Sequence, residues 1–381
     1  MTLPVLIIGG GIAGLTTAVA LQHFKIDFRV LEAVPEIKGV GAGISLAGNA
    51  MRVMHQLGLA ETIKAEGHPI SAMVIQDENG KTISVMDAGK LSREHGLDNV
   101  AIHRGALHQI LVQALPPEKI LTQHKAIDIQ EYPTHVEIVL QNGNRVSAAC
   151  ALVADGIHSV IRKKLLPLAQ IRYSGYTCWR GIVTNTWGIE NAAYETWGPA
   201  GRFGYVPVGG NKIYWFACKN APAKSEAMQR MTIKQLADNF SKYFHPIPEI
   251  ISQTPASELI WSDIIDLKPI SKYAFGKAVL LGDAAHATTP NMGQGACMGI
   301  EDAWLIARLL HQHTQTETAF NLFETQRLPR THYIVNTSYQ LGKVAQWENQ
   351  LLAKLRNCAL RLMPASVNEK QVVKLLDIEV G

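Results

Sequence analysis

The first apolar run, Val5-Leu6-Ile7-Ile8, is unbroken and stops at three glycines. A short continuous run before turn residues predicts a buried strand. The stretch "GIAGLTTAVALQHF" then spaces its apolar positions as a helix does, and "DFRVLEA" returns to a short strand, giving a βαβ opening. "NAMRVMHQLGL" and "RGALHQILVQAL" carry helical periodicity. Between them "AMVIQDENGKTISVMD" predicts a hairpin around Glu78-Asn79-Gly80, and "HVEIVLQNGNRVSAACALVAD" predicts another at Asn142-Gly143. From about Tyr173 to Ile265 aromatic and β-branched residues alternate, as in "YTCWRGIVT", "RFGYVPV" and "KIYWFACK". That texture predicts an inserted antiparallel sheet, with one helix-like stretch, "TIKQLADNFSKYF". "GKAVLLGD" reads as a further buried strand, and the chain is mainly helical from Gly293 onward.

The pattern implies an α/β domain that is discontinuous, 1–172 and 266–330, with its last strand at 278–282. A sheet domain at 173–265 interrupts it, and a helical segment, 331–381, follows. In that segment Leu351, Leu352, Leu355, Ala359 and Leu362 recur near helical spacing, which predicts core or dimer packing.

Composition narrows the picture. The 381 residues suffice for one large domain or two ordinary ones. Net charge is only +4, from 36 basic and 32 acidic residues, with no basic run, which argues against nucleic acid. Five scattered cysteines without a CxxC pair suggest a reducing compartment and no metal site. No segment has the length of a membrane span or the features of a signal peptide, so a cytoplasmic monomer or homodimer is expected.

Candidate chemistry begins at Gly9-x-Gly11-x-x-Gly14, set between a strand and a helix. Such glycines permit a tight turn, close approach of backbone to a pyrophosphate, and close helix–strand packing; the helix start favours the phosphate charge. Glu32 follows at the end of the second predicted strand, placed to accept from ribose hydroxyls. This is a Rossmann-like dinucleotide fingerprint. By itself it does not separate NAD from FAD.

Two further stretches do. "ALVADGIHSVIRKKL" holds Asp155-Gly156, Ser159 and Arg162, and "GDAAHATTPNMGQG" holds Asp283, Pro290, Gly293 and Gly295. With the first fingerprint they resemble the three-motif signature of the p-hydroxybenzoate hydroxylase family of flavoprotein monooxygenases. "EAVPEIKGVGAGISLAGNAMR" and "HRGALHQIL" also match, so the likeness runs from Val5 to about Arg327. Within the family it is strongest to FAD-dependent urate hydroxylases. Salicylate-hydroxylase-like and zeaxanthin-epoxidase-like enzymes come next.

The resemblance implies the p-hydroxybenzoate hydroxylase-like fold with non-covalent FAD, NAD(P)H and O2 as co-substrates, and a small aromatic, heterocyclic or polyene substrate. It implies hydroxylation or epoxidation through a flavin C4a-hydroperoxide. It assigns Gly9, Gly11, Ala13, Gly14, Glu32, Ala33, Ser45, Arg104 and the Ile127 backbone to FAD. It gives Asp283 the ribitol, and places Gly293, Gln294, Gly295, Ala296 and Cys297 beside the isoalloxazine, with Pro290 by the reacting face. Asp155-Gly156 stays open between a cofactor contact and a simple turn. His286 reads as a structural histidine and Cys297 as packing. Arg202 and Tyr214 match the spacing of a substrate-binding arginine and tyrosine, or are ordinary sheet residues. A two-residue loop at Gly209-Gly210 would put them on opposite faces, and a three-residue loop on one face. Arg180 is a second candidate anion anchor. The competing readings are a flavin-dependent reductase on this fold and a non-catalytic FAD-binding redox module.

Overall fold

Strand Val5–Ile8 is buried at all four positions, as an unbroken apolar run requires. In the computed structural model, which describes residues 3–37, 42–364, 372, 373, 375, 376 and 378, it forms the centre of a six-stranded sheet. Residues 38–41, within the segment 32–52 that carries part of the resemblance, lie outside the described residues. The sheet order is Ala274–Phe275, Ala278–Leu280, Cys150–Val153, Val5–Ile8, Phe28–Leu31 and Ile120–Leu121. All its pairings are parallel except the edge hairpin Ala274–Phe275 with Ala278–Leu280. A parallel sheet needs cover on both faces, which explains why these strands read as continuous apolar runs rather than alternating ones.

Helix Ile12–His23 lies against helix Gly295–Gln312. Small residues allow the approach: Cβ atoms added at Gly282 and Gly299 would stand 2.8 and 3.0 Å from the Ala13 Cβ. Ala13 is thus the point where the first and third motifs touch.

The second sheet has seven strands, ordered Ile260–Leu267, Ile171–Thr184, Lys212–Asn220, Gly201–Val208, Ala192–Gly198, Ala72–Asp77 and Thr82–Asp87. The hairpin at 72–87, grouped by sequence with the cofactor domain, joins this sheet instead, and its first strand pairs in parallel with Ala192–Gly198. The inserted sheet is therefore not wholly antiparallel. The hairpin covers the edge that Ala192–Gly198 would otherwise leave unpaired. One face packs Trp179, Phe203, Trp215 and Ala217 against Leu236, Phe240 and Ile250 from short helices. The other face looks toward the cofactor domain.

The C-terminal part is helical, with Gly295–Gln312, Thr316–Ala345 and Gln350–Leu362. The last of these overturns the expectation of core packing. Leu351 is 68% exposed and Leu362 78%, with Leu352, Leu355 and Ala359 also exposed, whereas Arg356 and Asn357 are buried. The Arg356 guanidinium donates to the carbonyls of Val344 and Ala345, so polar caps rather than leucines dock this helix.

Candidate active site

The three motifs meet at the carboxyl ends of the parallel strands. Gly9 has φ +107, and a Cβ there would lie 2.4 Å from the Ala154 carbonyl oxygen, which ties the first loop to the Asp155-Gly156 turn. Arg162 is 1% exposed and donates to the Ala284 carbonyl at 3.0 Å and to the Ile157 carbonyl, tying that turn to the Asp283 turn. Ser159 caps the short helix that carries Arg162 by accepting from its backbone N–H at 2.9 Å.

These turns leave room for a dinucleotide. A Cβ at Gly14 would collide with the Gly9 carbonyl oxygen at 1.9 Å, so Gly14 is demanded by helix–strand packing. A Cβ at Gly11 meets nothing within 4 Å, and the same holds at Gly156 and Gly293. No protein neighbour requires glycine at Gly11; open space for a close-lying ligand does. Helices Ile12–His23 and Gly295–Gln312 both start without a side-chain cap. Their first N–H groups and dipoles are available to phosphate and to a carbonyl-rich ring edge. Gln294 is buried and accepts from Asn49 at 2.8 Å, and Ala296 and Cys297 lie in the first turn beside it.

The acids fall into two environments. Glu32 accepts from the Gly10 N–H at 2.6 Å and the Val34 N–H at 3.0 Å, so it braces the glycine loop and keeps further lone pairs for hydroxyl donors. Asp283 begins a helical turn and is exposed, and among the described residues no group hydrogen-bonds its carboxylate. Asp155 is different: burial pushes its carboxyl up, and Oδ1 has no partner among the described residues. These placements fit FAD: uncapped helix starts, open glycines, a braced acid and a free one. Ala33 borders a cavity of about 440 Å³ with Gln123, Lys125 and Asn142, and Ile127 follows on strand Ala126–Glu131, exposed. Ser45 is exposed on strand Gly43–Leu46, and Arg104 is exposed at the start of helix Arg104–Gln113.

His108 was not singled out by sequence. It is buried one turn beyond Arg104, and neither ring nitrogen has a partner among the described residues. Burial lowers its pKa, the Arg104 charge adds to that, and Glu32 opposes it. Helical spacing from Arg104 was the available signal. Also missed is a buried network behind the third motif. His286 Nε2 lies 2.6 Å from Asp302 Oδ2, which also accepts from the Gly282 N–H at 2.8 Å. Arg327 donates to Asp302 at 2.6 Å and to Glu301 at 2.5 Å, and Arg330 and Asn49 complete Glu301. Burial raises the Asp302 carboxyl, but His286 and Arg327 outweigh it and hold the group at about 2. The network fixes the Gly282-Asp283 turn, which gives His286 a structural place. Cys297 is fully buried, and burial pushes its thiol up to about 12, which suits packing rather than attack.

The inserted sheet turns one face toward the cofactor domain. Val208 pairs with Lys212, so the hairpin loop has three residues, Gly209, Gly210 and Asn211. Arg202 opposes Cys218 and Val206 opposes Tyr214, which places Arg202 and Tyr214 on one face. Arg180 opposes Phe216 and shares that face. Tyr214 reaches the cofactor domain: a Cβ at Gly43 would lie 2.6 Å from its side chain. Arg202 also reaches across, by a 2.8 Å bond from Nη2 to Asn291, next to Pro290. Its Nε donates to Gln346 at 2.8 Å and its Nη1 to Glu195 at 3.1 Å, and it lies over the Tyr176 ring. Arg202 is thus 3% exposed, with every nitrogen engaged. Arg180 donates to Ser262 at 3.0 Å, and its charge bears on the Tyr214 hydroxyl. Burial pushes the Tyr214 phenol well up, so it stays protonated. A second cavity, about 500 Å³, borders Tyr176, Asn220, Gln346 and Trp347. Among the described residues no group of three or more His, Cys, Asp or Glu could hold a metal, and no helix is long and apolar enough to cross a membrane.

Comparison with known proteins matches residues 2–338 to a family described as FAD binding domain. The aurachin C monooxygenase/isomerase of Stigmatella aurantiaca is 38% identical over 370 residues, covering 95% of this chain and 94% of that protein. The 2-heptyl-3-hydroxy-4(1H)-quinolone synthase of Pseudomonas aeruginosa is 32% identical over 365 residues, covering 94% of each. FAD-dependent urate hydroxylases are also among the relatives. The crystal structure of Klebsiella pneumoniae HpxO complexed with FAD and uric acid superposes with a TM-score of 0.92 at 26% identity, covering 98% of this chain and 96% of that one.

Proposed function

The chain belongs to the FAD binding domain family, an FAD-dependent flavoprotein monooxygenase, and from that premise we propose that it uses NAD(P)H and O2 to hydroxylate a carbonyl-bearing aromatic heterocycle of the quinolone type. The observation that carries the reading is the shared face of Arg180, Tyr214 and Phe216, seated against Gly43 and near the Pro290 loop through Arg202 and Asn291.

FAD, when bound, supplies the hydride acceptor and the centre that activates O2. The chain's residues bind, orient and keep water out. The Arg180 charge bears on the Tyr214 oxygen, and the protonated phenolic O–H can donate to a substrate carbonyl. The Arg180 charge beside it favours the deprotonated, enolate-like form of such a heterocycle, in which the carbon next to the carbonyl is the nucleophile. Phe216 offers an apolar ring face to an aromatic system. Arg202 takes a different part from the one its spacing suggested. Its donors are spent on Glu195, Asn291 and Gln346, so it positions the Pro290 loop, while Arg180 and Tyr214 meet the substrate.

The test compares stimulation of NAD(P)H oxidation by a 2-alkyl-4-quinolone and by uric acid. The proposal expects the quinolone to stimulate strongly and Tyr214→Phe to raise its KM several-fold. Stimulation by uric acid alone would reject the quinolone reading.

A further inference from the structure

The sheet face toward the cofactor domain carries two cysteines that the hydroxylation chemistry leaves unused. Cys178 and Cys218 are direct cross-strand partners in the antiparallel pairing of Ile171–Thr184 with Lys212–Asn220. Direct partners in such a ladder have Cα atoms about 4.5–5.5 Å apart, with both side chains on one face. That separation falls inside the disulfide range of about 4.4–6.8 Å. The Cys178 thiol lies 3.4 Å from the Trp179 carbonyl. Both are about 1% exposed.

Their surroundings are cationic. Arg180 sits two residues along the strand from Cys178, and Arg202 opposes Cys218 on the next strand. The Cys218 thiol beside it lowers the Cys178 pKa against burial, and Arg180 and Arg202 add to the lowering. Cys218 is correspondingly raised. The other buried cysteines lack this: burial pushes both Cys150 and Cys297 up to about 12. Susceptibility to peroxide follows thiolate character and access, and these two thiols stand on the sheet face that Arg180 and Tyr214 share.

We propose that Cys178 and Cys218 are a peroxide-reactive dithiol that closes reversibly to a cross-strand disulfide. The oxidant is hydrogen peroxide, the product expected when a reduced flavin meets O2 without substrate. The Cys178 sulfur attacks the O–O bond; an S–O bond forms, the O–O bond breaks, and hydroxide leaves with the thiol proton as water. Cys178 is then a sulfenic acid. The Cys218 sulfur attacks it; an S–S bond forms, the S–O bond breaks, and the hydroxyl leaves with the Cys218 proton as water. Two thiols and one peroxide thus become one disulfide and two waters. The inference does not depend on the identity of the hydroxylation substrate.

The experiment uses FAD-loaded Cys358→Ser protein, which removes the one exposed thiol. Hydrogen peroxide is added stepwise, and the protein is denatured in an alkylating reagent and mapped without reduction. The expected result is a peptide pair joined through Cys178 and Cys218, an intact mass about 2 Da lower for the two lost hydrogens, and full reversal by dithiothreitol. In Cys218→Ser, checked for bound flavin by absorbance, Cys178 should instead be trapped by dimedone. Full alkylation of Cys178 and Cys218 after peroxide, or sulfinic acid at Cys178 without the joined peptide, overturns the proposal.

Discussion

Gly11→Ala separates what the fold needs from what the cofactor needs. Gly11 has φ −75 and ψ −178, which alanine adopts freely, and its Cβ would meet no atom within 4 Å. The methyl therefore strains nothing in the apoprotein. As a helix N-cap, alanine is worse than glycine by up to about 1 kcal/mol, and the stiffer unfolded chain returns about 0.4–1 kcal/mol. Apoprotein stability should stay within about 1 kcal/mol of the parent. FAD binding should not. A methyl at the turn holds the pyrophosphate off the N–H groups, and one lost hydrogen bond to a charged group costs about 1.5–3 kcal/mol, or roughly 10–150-fold in Kd. Gly14→Ala is the contrast: its Cβ would lie 1.9 Å from the Gly9 oxygen, so the apoprotein itself should melt earlier. Titration of apoprotein with FAD, followed by flavin fluorescence, gives Kd, and thermal melts of the same samples give Tm. A Gly11→Ala protein with parental Kd, or one whose apo Tm falls as far as that of Gly14→Ala, would refute the reasoning.

Three more outcomes follow from the site. Asp283→Ala should weaken FAD by roughly 10–150-fold, the loss of a charge-assisted hydrogen bond, and by more than Asp155→Ala; equal Kd values for Asp283→Ala and parent would end the ribitol assignment. Asp302→Asn leaves Arg327 and His286 without their shared carboxylate and should cost about 3–5 kcal/mol in denaturant unfolding; a cost under about 1 kcal/mol would contradict the network. Because the folded Asp302 pKa, about 2, lies below its ordinary value of 3.8, its contribution is complete above about pH 4 and lost toward pH 2. The gap between parent and Asp302→Asn should therefore close over that window, and a gap that persists at pH 2 would contradict the sign. Arg202→Lys should disturb the Pro290 loop through Asn291, lowering kcat more than it raises substrate KM; a pure KM effect would restore Arg202 to direct substrate contact.

Much of the candidate cofactor site is legible because its parts are local. A strand, a glycine turn and a helix lie within twenty residues, and steric demand at Gly9 and Gly14 leaves a readable mark. The substrate face was less legible because register is set by a turn. Both a two-residue and a three-residue loop fit "VGGNK", and Asn211 at φ +53 belongs to the longer one. Partners far apart in the chain left no pattern at all. Arg202 meets Gln346, 144 residues away, and the 72–87 hairpin joins a sheet whose other strands begin at Ile171. The exposed leucines of Gln350–Leu362 show the limit of periodicity: it foretold the helix and not which face would be buried.

The most direct test of the central claim follows the oxygen atom. FAD-loaded protein is given NAD(P)H and a 2-alkyl-4-quinolone under ¹⁸O2, and the organic product is weighed. The account predicts one oxygen from O2, a product about 18 Da heavier than the substrate with NAD(P)H consumed in equal amount. NAD(P)H consumption that yields only hydrogen peroxide across quinolone, urate and hydroxybenzoate substrates, or a product without the label, would contradict it.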